Sequence, residues 1–166
     1  MVGMFIGEHT FKVDGKGRVS IPADFRRELE LGDPLASETG RPRMVIVYGP
    51  EKQQHLTVYT YEGYKALAGD IARLPRGSQK RKIMERMILN RARPTEVDND
   101  GRLVLPQMLR DKIGLENTAY FAGLGETFEI WKPEVHEAQD EALDDRIFEE
   151  FGEDFDPLSL LDDLEG

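Results

Sequence analysis

The chain has 166 residues, 39% of them apolar, no cysteine and a formal net charge of −10. The length allows one domain or two small ones. The lack of cysteine excludes disulfides and thiolate metal sites, and no apolar run approaches the roughly 18 residues that a membrane span needs. Met1 to Thr10 lacks the basic flank and apolar stretch of a signal peptide, so a cytoplasmic protein is expected. The charge is unevenly spread. Residues 1–115 carry 20 Lys and Arg against 15 Asp and Glu, whereas residues 116–166 carry 2 against 17. A mildly basic body with an acidic end leaves nucleic acid open as a partner, which the net charge alone would argue against.

In chain order, Phe11 and Val13 alternate with polar residues as in a half-buried strand. Asp14-Gly15-Lys16-Gly17 supplies a turn, and Arg18 to Ile21 reads as the returning strand with Val19 and Ile21 on one face. Pro22 suits a first helical turn, and Phe25 and Leu29 then share a helix face at i, i+4. Met44 to Tyr48 is a strand run stopped by Gly49-Pro50. Strand His55 to Tyr61 follows, then a helix from about Glu62 to Leu74. Ser78 to Arg91 reads as one helix with Ile83, Met84, Met87 and Ile88 on one side and Lys80, Arg81 and Arg86 elsewhere. A second course then runs through a strand to Val97, a turn at Asp98 to Gly101, a strand to Leu105, and a helix that Pro106 opens and Gly114 stops. Thr118 to Ala122 and Thr127 to Trp131 are strands around Gly123-Leu124-Gly125. From Glu134 the chain is acidic. Val135, Ala138, Leu143, Ile147 and Phe151 line a helix face up to Gly152, and Glu153 to Gly166 is expected to be a solvated tail or to dock on a basic neighbour.

The two courses are one unit used twice. Val13-Asp14-Gly15-Lys16-Gly17-Arg18-Val19-Ser20-Ile21-Pro22 returns 84 positions later as Val97-Asp98-Asn99-Asp100-Gly101-Arg102-Leu103-Val104-Leu105-Pro106. Phe25, Arg26 and Leu29 find counterparts in Leu109, Arg110 and Ile113, and Leu56-Thr57-Val58-Tyr59 resembles Phe128-Glu129-Ile130-Trp131 at a shorter offset. Each copy spans about 50 residues, a size at which a lone core is marginal, so pairing of the copies or oligomerisation is expected. An α+β class follows.

Lys16 and Arg18 flank the apex of the first turn, and Lys12 lies two residues before it. A two-stranded ribbon fits the major groove of DNA, where Lys and Arg reach phosphates and Arg can bind guanine O6 and N7 bidentately. The plainer reading is that Asp14 and Arg18 bridge the turn and fix its register. Both hold together if Asp14 orients Arg18. In the second copy Asp100 replaces Lys16 and Asn99 replaces Gly15, so that tip should bind phosphate worse, with Arg102 paired to Asp98 or Asp100. The run Arg73 to Arg93 holds eight basic residues and one acid, Glu85. It reads either as a second phosphate-contacting face or as a solvated helix side, or as a dock for an acidic tail. Glu96 to Gln107 loosely echoes a calcium loop but ends without the bidentate carboxylate. His9, His55 and His136 lack metal-ligand spacing, and no P-loop, GxSxG or GxGxxG pattern occurs. Neither an enzyme nor a cofactor is expected.

Met4-Phe5-Ile6-Gly7-Glu8, the Asp14 to Arg18 turn running into Val19-Ser20-Ile21-Pro22, and the second Asp98 to Arg102 copy together resemble the MraZ family over roughly residues 4–145. Its members are bacterial transcriptional regulators named for the division and cell-wall gene cluster that their gene heads. The resemblance implies duplicated swapped-hairpin (AbrB-like) β-barrel units with connecting helices, forming a pseudo-dimer within one chain, and chains assembled into a ring. It also implies repression through direct repeats in double-stranded promoter DNA upstream of the family's own operon, in the cytoplasm at the nucleoid. The DNA-facing set then falls on Lys12, Asp14, Lys16, Arg18, Asp98 and Arg102. The parts are a first repeat at 4–74, a basic linker helix at 75–94, a second repeat at 95–145 and an acidic tail at 146–166, the tail lying outside the shared region. Two other readings fit the residues: an AbrB-type antitoxin with a toxin-blocking tail, and a ring scaffold without DNA whose acidic tail binds a basic protein.

Overall fold

The duplication governs which strand pairs with which. The computed structural model describes residues 4–165. The first copy contributes β1 (Glu8–Lys12), β2 (Arg18–Ser20), α1 (Ala23–Leu31), a four-residue α2 (Ala36–Thr39), β3 (Arg43–Val47), β4 (His55–Thr60) and α3 (Tyr61–Ala72). After α4 (Gln79–Met84), the second copy contributes β5 (Ala92–Glu96), β6 (Arg102–Val104), α5 (Gln107–Ile113), β7 (Thr118–Gly123) and β8 (Thr127–Trp131). The chain divides into two compact units at Pro133. The C-terminal unit carries α6 (Pro133–Phe151) and a 3-10 helix over Pro157–Glu165. No helix among the described residues is long and apolar enough to cross a membrane.

Six strands form one sheet in the order β1-β7-β8-β4-β3-β5, and β2 and β6 form a two-stranded ribbon. Exchanging the copies (β1 for β5, β3 for β7, β4 for β8) reverses this order and leaves it unchanged. The register obeys the same exchange. Thr10 faces Tyr120 as Pro94 faces Val45, and the pairs Val19↔Leu103 and Thr57↔Glu129 each map onto themselves. The fold is therefore a duplicated swapped-hairpin pseudo-dimer within one chain, of α+β class. Its sheet is open, however. Among the described residues the ladder leaves β1 and β5 as edges, so the strands do not close into the barrel that the resemblance implies.

The expected local hairpin at residues 11–21 is also modified. β1 and β2 meet at a single bridge, Val13↔Val19. Beyond it β1 pairs with β7 and β2 with β6, so the ladders are made across the copies. This exchange builds one core in place of two marginal ones. Phe5, Phe25, Leu29 and Leu56 of the first copy are buried in the same cluster as Leu103, Leu109, Phe121 and Phe128 of the second. Phe25 packs its ring 5.3 Å from Phe5 and 4.9 Å from Phe128, centroid to centroid. Truncating it to Ala would cost about 3–5 kcal/mol. Gly123 is required where the N-terminal segment crosses, because a Cβ there would sit 2.6 Å from the Phe5 carbonyl.

Two features differ from the linear reading. The helix expected over Ser78–Arg91 begins as α4, capped by the Ser78 hydroxyl accepting from Arg81 N (3.3 Å), but winds as a π-helix over Glu85–Asn90. There the Tyr64 hydroxyl donates to the Ile88 carbonyl at 2.9 Å, giving the widened turn an acceptor's partner from α3. The second is Asp33, buried just after α1, which accepts from Arg43 N, Nε and Nη2 at 2.8, 3.0 and 2.6 Å. The Arg43 side-chain hydrogen bonds, aided by backbone donors, hold the Asp33 carboxyl at about 2. Arg43 also lies 3.6 Å above the Tyr61 ring, so this pair ties the end of α1 to β3 and α3.

Candidate nucleic-acid interface

The first turn is built by its own aspartate. Asp14 Oδ1 accepts from the backbone N–H of Lys16 and of Arg18, both at 2.9 Å, and Gly17 N donates to the Asp14 carbonyl at 3.0 Å. Gly17 closes the turn at φ 83°, a conformation that side chains disfavour. Arg18 Nε donates to Asp14 Oδ2 at 2.6 Å. The backbone hydrogen bond from Arg18, with further help from its guanidinium and from Lys16 N, lowers the Asp14 carboxyl to about 2. Asp14 is therefore ionised at neutral pH and holds Arg18 by one edge. No hydrogen bond or ion pair among the described residues engages Arg18 Nη1, Arg18 Nη2 or Lys16 Nζ. Lys12, at the end of β1 opposite Thr118, is exposed two residues before Asp14.

The second turn repeats the backbone and changes the charge. Asp98 Oδ1 accepts from Asp100 N and Arg102 N, both at 2.9 Å, and Gly101 N donates to the Asp98 carbonyl at 3.0 Å. Desolvation pushes the Asp98 carboxyl upward, but the backbone donors of Arg102 and Asp100 and the Arg102 charge outweigh it and hold it below the usual range. Arg102 Nη2 donates to Asp100 Oδ2 at 3.0 Å. Its Nε lies 3.4 Å from Asp98 Oδ2, close enough for an ion pair but without hydrogen-bond alignment. The two arginine side chains are about equally exposed, 37% for Arg18 and 32% for Arg102. What separates them is the second carboxylate at Asp100.

The β2–β6 ribbon brings the two turns onto one surface. Val19 and Leu103 point inward and are buried, so Arg18, Ser20, Arg102 and Val104 share the outer face. Arg18 stands opposite Val104 and Arg102 opposite Ser20, which puts the arginines on a diagonal of roughly 7–8 Å. Each turn is also braced from behind by the other copy. Leu105 N donates to Gly17 O at 2.8 Å and Ile21 N to Gly101 O at 3.0 Å. A Cβ on Gly17 would meet Leu105 O and the Arg110 guanidinium, and one on Gly101 would meet Arg26. Arg110 and Arg26 were legible in the sequence as repeat equivalents. Their placement against the opposite turn was not, because it follows from the swap.

The other candidate residues have structural partners. His9 packs edge-on to Phe25 with centroids 5.4 Å apart. His55 stacks on Trp131 at 4.6 Å and pairs with Glu129 at 3.2 Å, and burial lowers its pKa against the pull of Glu129. The calcium-like carboxylates Asp98 and Asp100 are occupied by backbone donors and Arg102. Within the basic run, Arg81 Nη1 donates to Leu74 O (2.9 Å) and Ala72 O (3.3 Å) while its Nε pairs with Glu85 (3.2 Å), so it caps the end of α3.

Fold and turns together define a class: a swapped-hairpin pseudo-dimer presenting two Asp/Arg turns on one ribbon. The family model described as "MraZ protein, putative antitoxin-like" matches residues 4–87 and 88–156, one match per copy. A protein of Ruegeria sp. (strain TM1040) named Transcriptional regulator MraZ is 49% identical over 162 residues, covering 98% of this chain and 97% of the relative. Relatives of the same name from Ruegeria pomeroyi and Cereibacter sphaeroides (strain KD131) are 47% and 39% identical, each over at least 98% of both chains. The chain belongs to the MraZ family.

Proposed function

We propose that this chain is a sequence-specific DNA-binding transcriptional regulator that represses from direct repeats upstream of its own division and cell-wall operon. The observation that carries this reading is the first turn, where a rigid ribbon tip offers Lys16 and two guanidinium nitrogens of Arg18 to a partner. Lys12 and Lys16 neutralise phosphates, Arg18 reads a guanine edge in the major groove, and Asp14 fixes the arginine's approach. Asp98 and Arg102 complete the surface with a weaker contribution, since Asp100 holds the second arginine. The name shared by the relatives supports the regulatory role. One ribbon makes few contacts, so the protein acts as a homo-oligomer, a ring whose ribbons meet evenly spaced repeats. Effective concentration then raises avidity 10²–10⁴-fold in order of magnitude. The site of action is the nucleoid, and no catalysis is involved.

Fluorescence anisotropy with DNA from upstream of the gene, with repeats intact or scrambled, tests this over a salt series. Binding to the intact DNA that weakens steeply with salt is expected. Equal binding to both DNAs would leave only a non-specific contact. No binding at low salt would put a DNA-free scaffold in its place.

A further inference from the structure

We propose that the C-terminal segment of one chain docks in a groove on the α3–α4 face of a second copy. The groove has a volume of about 440 Å³, with Leu67, Ile71, Leu74, Ile83 and Met84 as its walls and Lys80 at its lip. Ile83 is 49% exposed there. The carboxylate on this rim, Asp70, is paired with Arg73 at 3.3 Å. Residues 73–82 hold five basic side chains and no acid; apart from Arg73, paired with Asp70, and the committed Arg81, they are Arg76, Lys80 and Lys82.

The complementary surface lies in the C-terminal unit. Its 3-10 helix over Pro157–Glu165 places Leu158, Leu161 and Leu164 at i, i+3 and i+6. Three residues per turn stack such positions on one edge of a 3-10 helix. These leucines are 70%, 57% and 83% exposed, an apolar row that a soluble surface rarely leaves uncovered. Residues 153–166 carry six acids and no base. At about 2 Å per residue the leucine row spans roughly 12 Å. The helical part of the wall, Leu67 to Ile71, spans roughly 6 Å at 1.5 Å per residue, and Leu74 extends it past the end of α3. Polarity and charge thus match: leucines against the apolar walls, and Asp162 and Asp163 toward Lys80 at the lip and the basic run around it. A second copy supplies each surface with its partner in equal number. Docking of this kind is head-to-tail. It stands whether or not the ribbon binds DNA.

The chain's lack of cysteine makes the test direct. An Ile83→Cys chain and a Leu161→Cys chain of different tag length are mixed and oxidised, and the products are read on a non-reducing gel. A mixed dimer is expected. Lys80→Glu with Lys82→Glu should cut its yield at least about fivefold, and Asp162→Lys with Asp163→Lys in the other chain should restore it. Three outcomes would overturn the proposal: no mixed dimer, a yield indifferent to the charge reversal, or equal capture by a Met108→Cys control chain. Closure within a single Ile83→Cys, Leu161→Cys chain, with no cross-linking in the mixture, would also overturn it. Leu161→Asp is an independent readout by sedimentation velocity. The average mass should fall relative to the parent, and an unchanged mass would count against the docking.

Discussion

The two turns of the ribbon share a backbone and differ in charge. Each has an aspartate accepting two backbone N–H groups at 2.9 Å and a glycine at positive φ, 83° at Gly17 and 75° at Gly101. One then adds a lysine and the other an aspartate at the same position. The Asp–Arg pair is therefore a structural device common to both copies, and under the proposed function the DNA contact falls mainly on the first. The same constellation thus holds a turn together in both places, while the charge beside it differs.

Exchanging that one residue should exchange the behaviour. Lys16→Asp makes the first turn resemble the second. It should weaken binding to promoter DNA tens of fold and reduce the salt slope by about 2, since two unit charges change. The reciprocal change, Asp100→Lys, releases Arg102 and should strengthen binding several-fold with a slope steeper by about 2. Both are read from anisotropy titrations at a series of salt concentrations. If Asp100→Lys leaves affinity unchanged, the second turn lies outside the contact.

The shared backbone is tested by glycine substitution. Gly17→Ala forces a Cβ at positive φ into Leu105 O and Arg110, and should cost about 1–3 kcal/mol of stability by denaturant unfolding. Gly15→Ala, with open space around it, should stay within about 0.5 kcal/mol. A difference smaller than the error would remove the case for bracing between the copies. The smallest effect concerns pH. Because the folded Asp14 carboxyl sits at about 2 against an ordinary 3.8, its stabilising effect is present above about pH 4 and is lost as pH falls toward 2. Asp14→Asn should therefore narrow the drop in thermal midpoint between those two pH values. An identical drop in parent and variant would show that Asp14 does not contribute.

Much of this was legible in the chain. The 84-residue offset located both turns, and Val19 with Ile21 on one face marked the inward side of the first returning strand. Lys16 against Asp100 foretold the unequal tips. What the sequence could not supply is pairing. Nothing local distinguishes β1 bonded to β2 from β1 bonded to β7, since either satisfies the same backbone groups. The bracing of Gly17 by Arg110 depends on that choice. The Asp33–Arg43 tie was missed for a related reason: its partners lie ten residues apart in unlike elements and form no repeat. The π-helical turn at Glu85–Asn90 receives a hydrogen bond from the Tyr64 hydroxyl on α3, which no helical periodicity reveals.

The most direct test of the central claim is a paired comparison of Arg18→Ala and Arg102→Ala by anisotropy on the same upstream DNA, with repeats intact and scrambled. Loss of a base-reading arginine costs about 1–3 kcal/mol. Arg18→Ala should therefore bind at least about fivefold more weakly and lose its discrimination between the two DNAs, while Arg102→Ala stays within about twofold of the parent. An Arg102→Ala chain that loses as much affinity as Arg18→Ala, or more, would contradict the division of roles between the two turns.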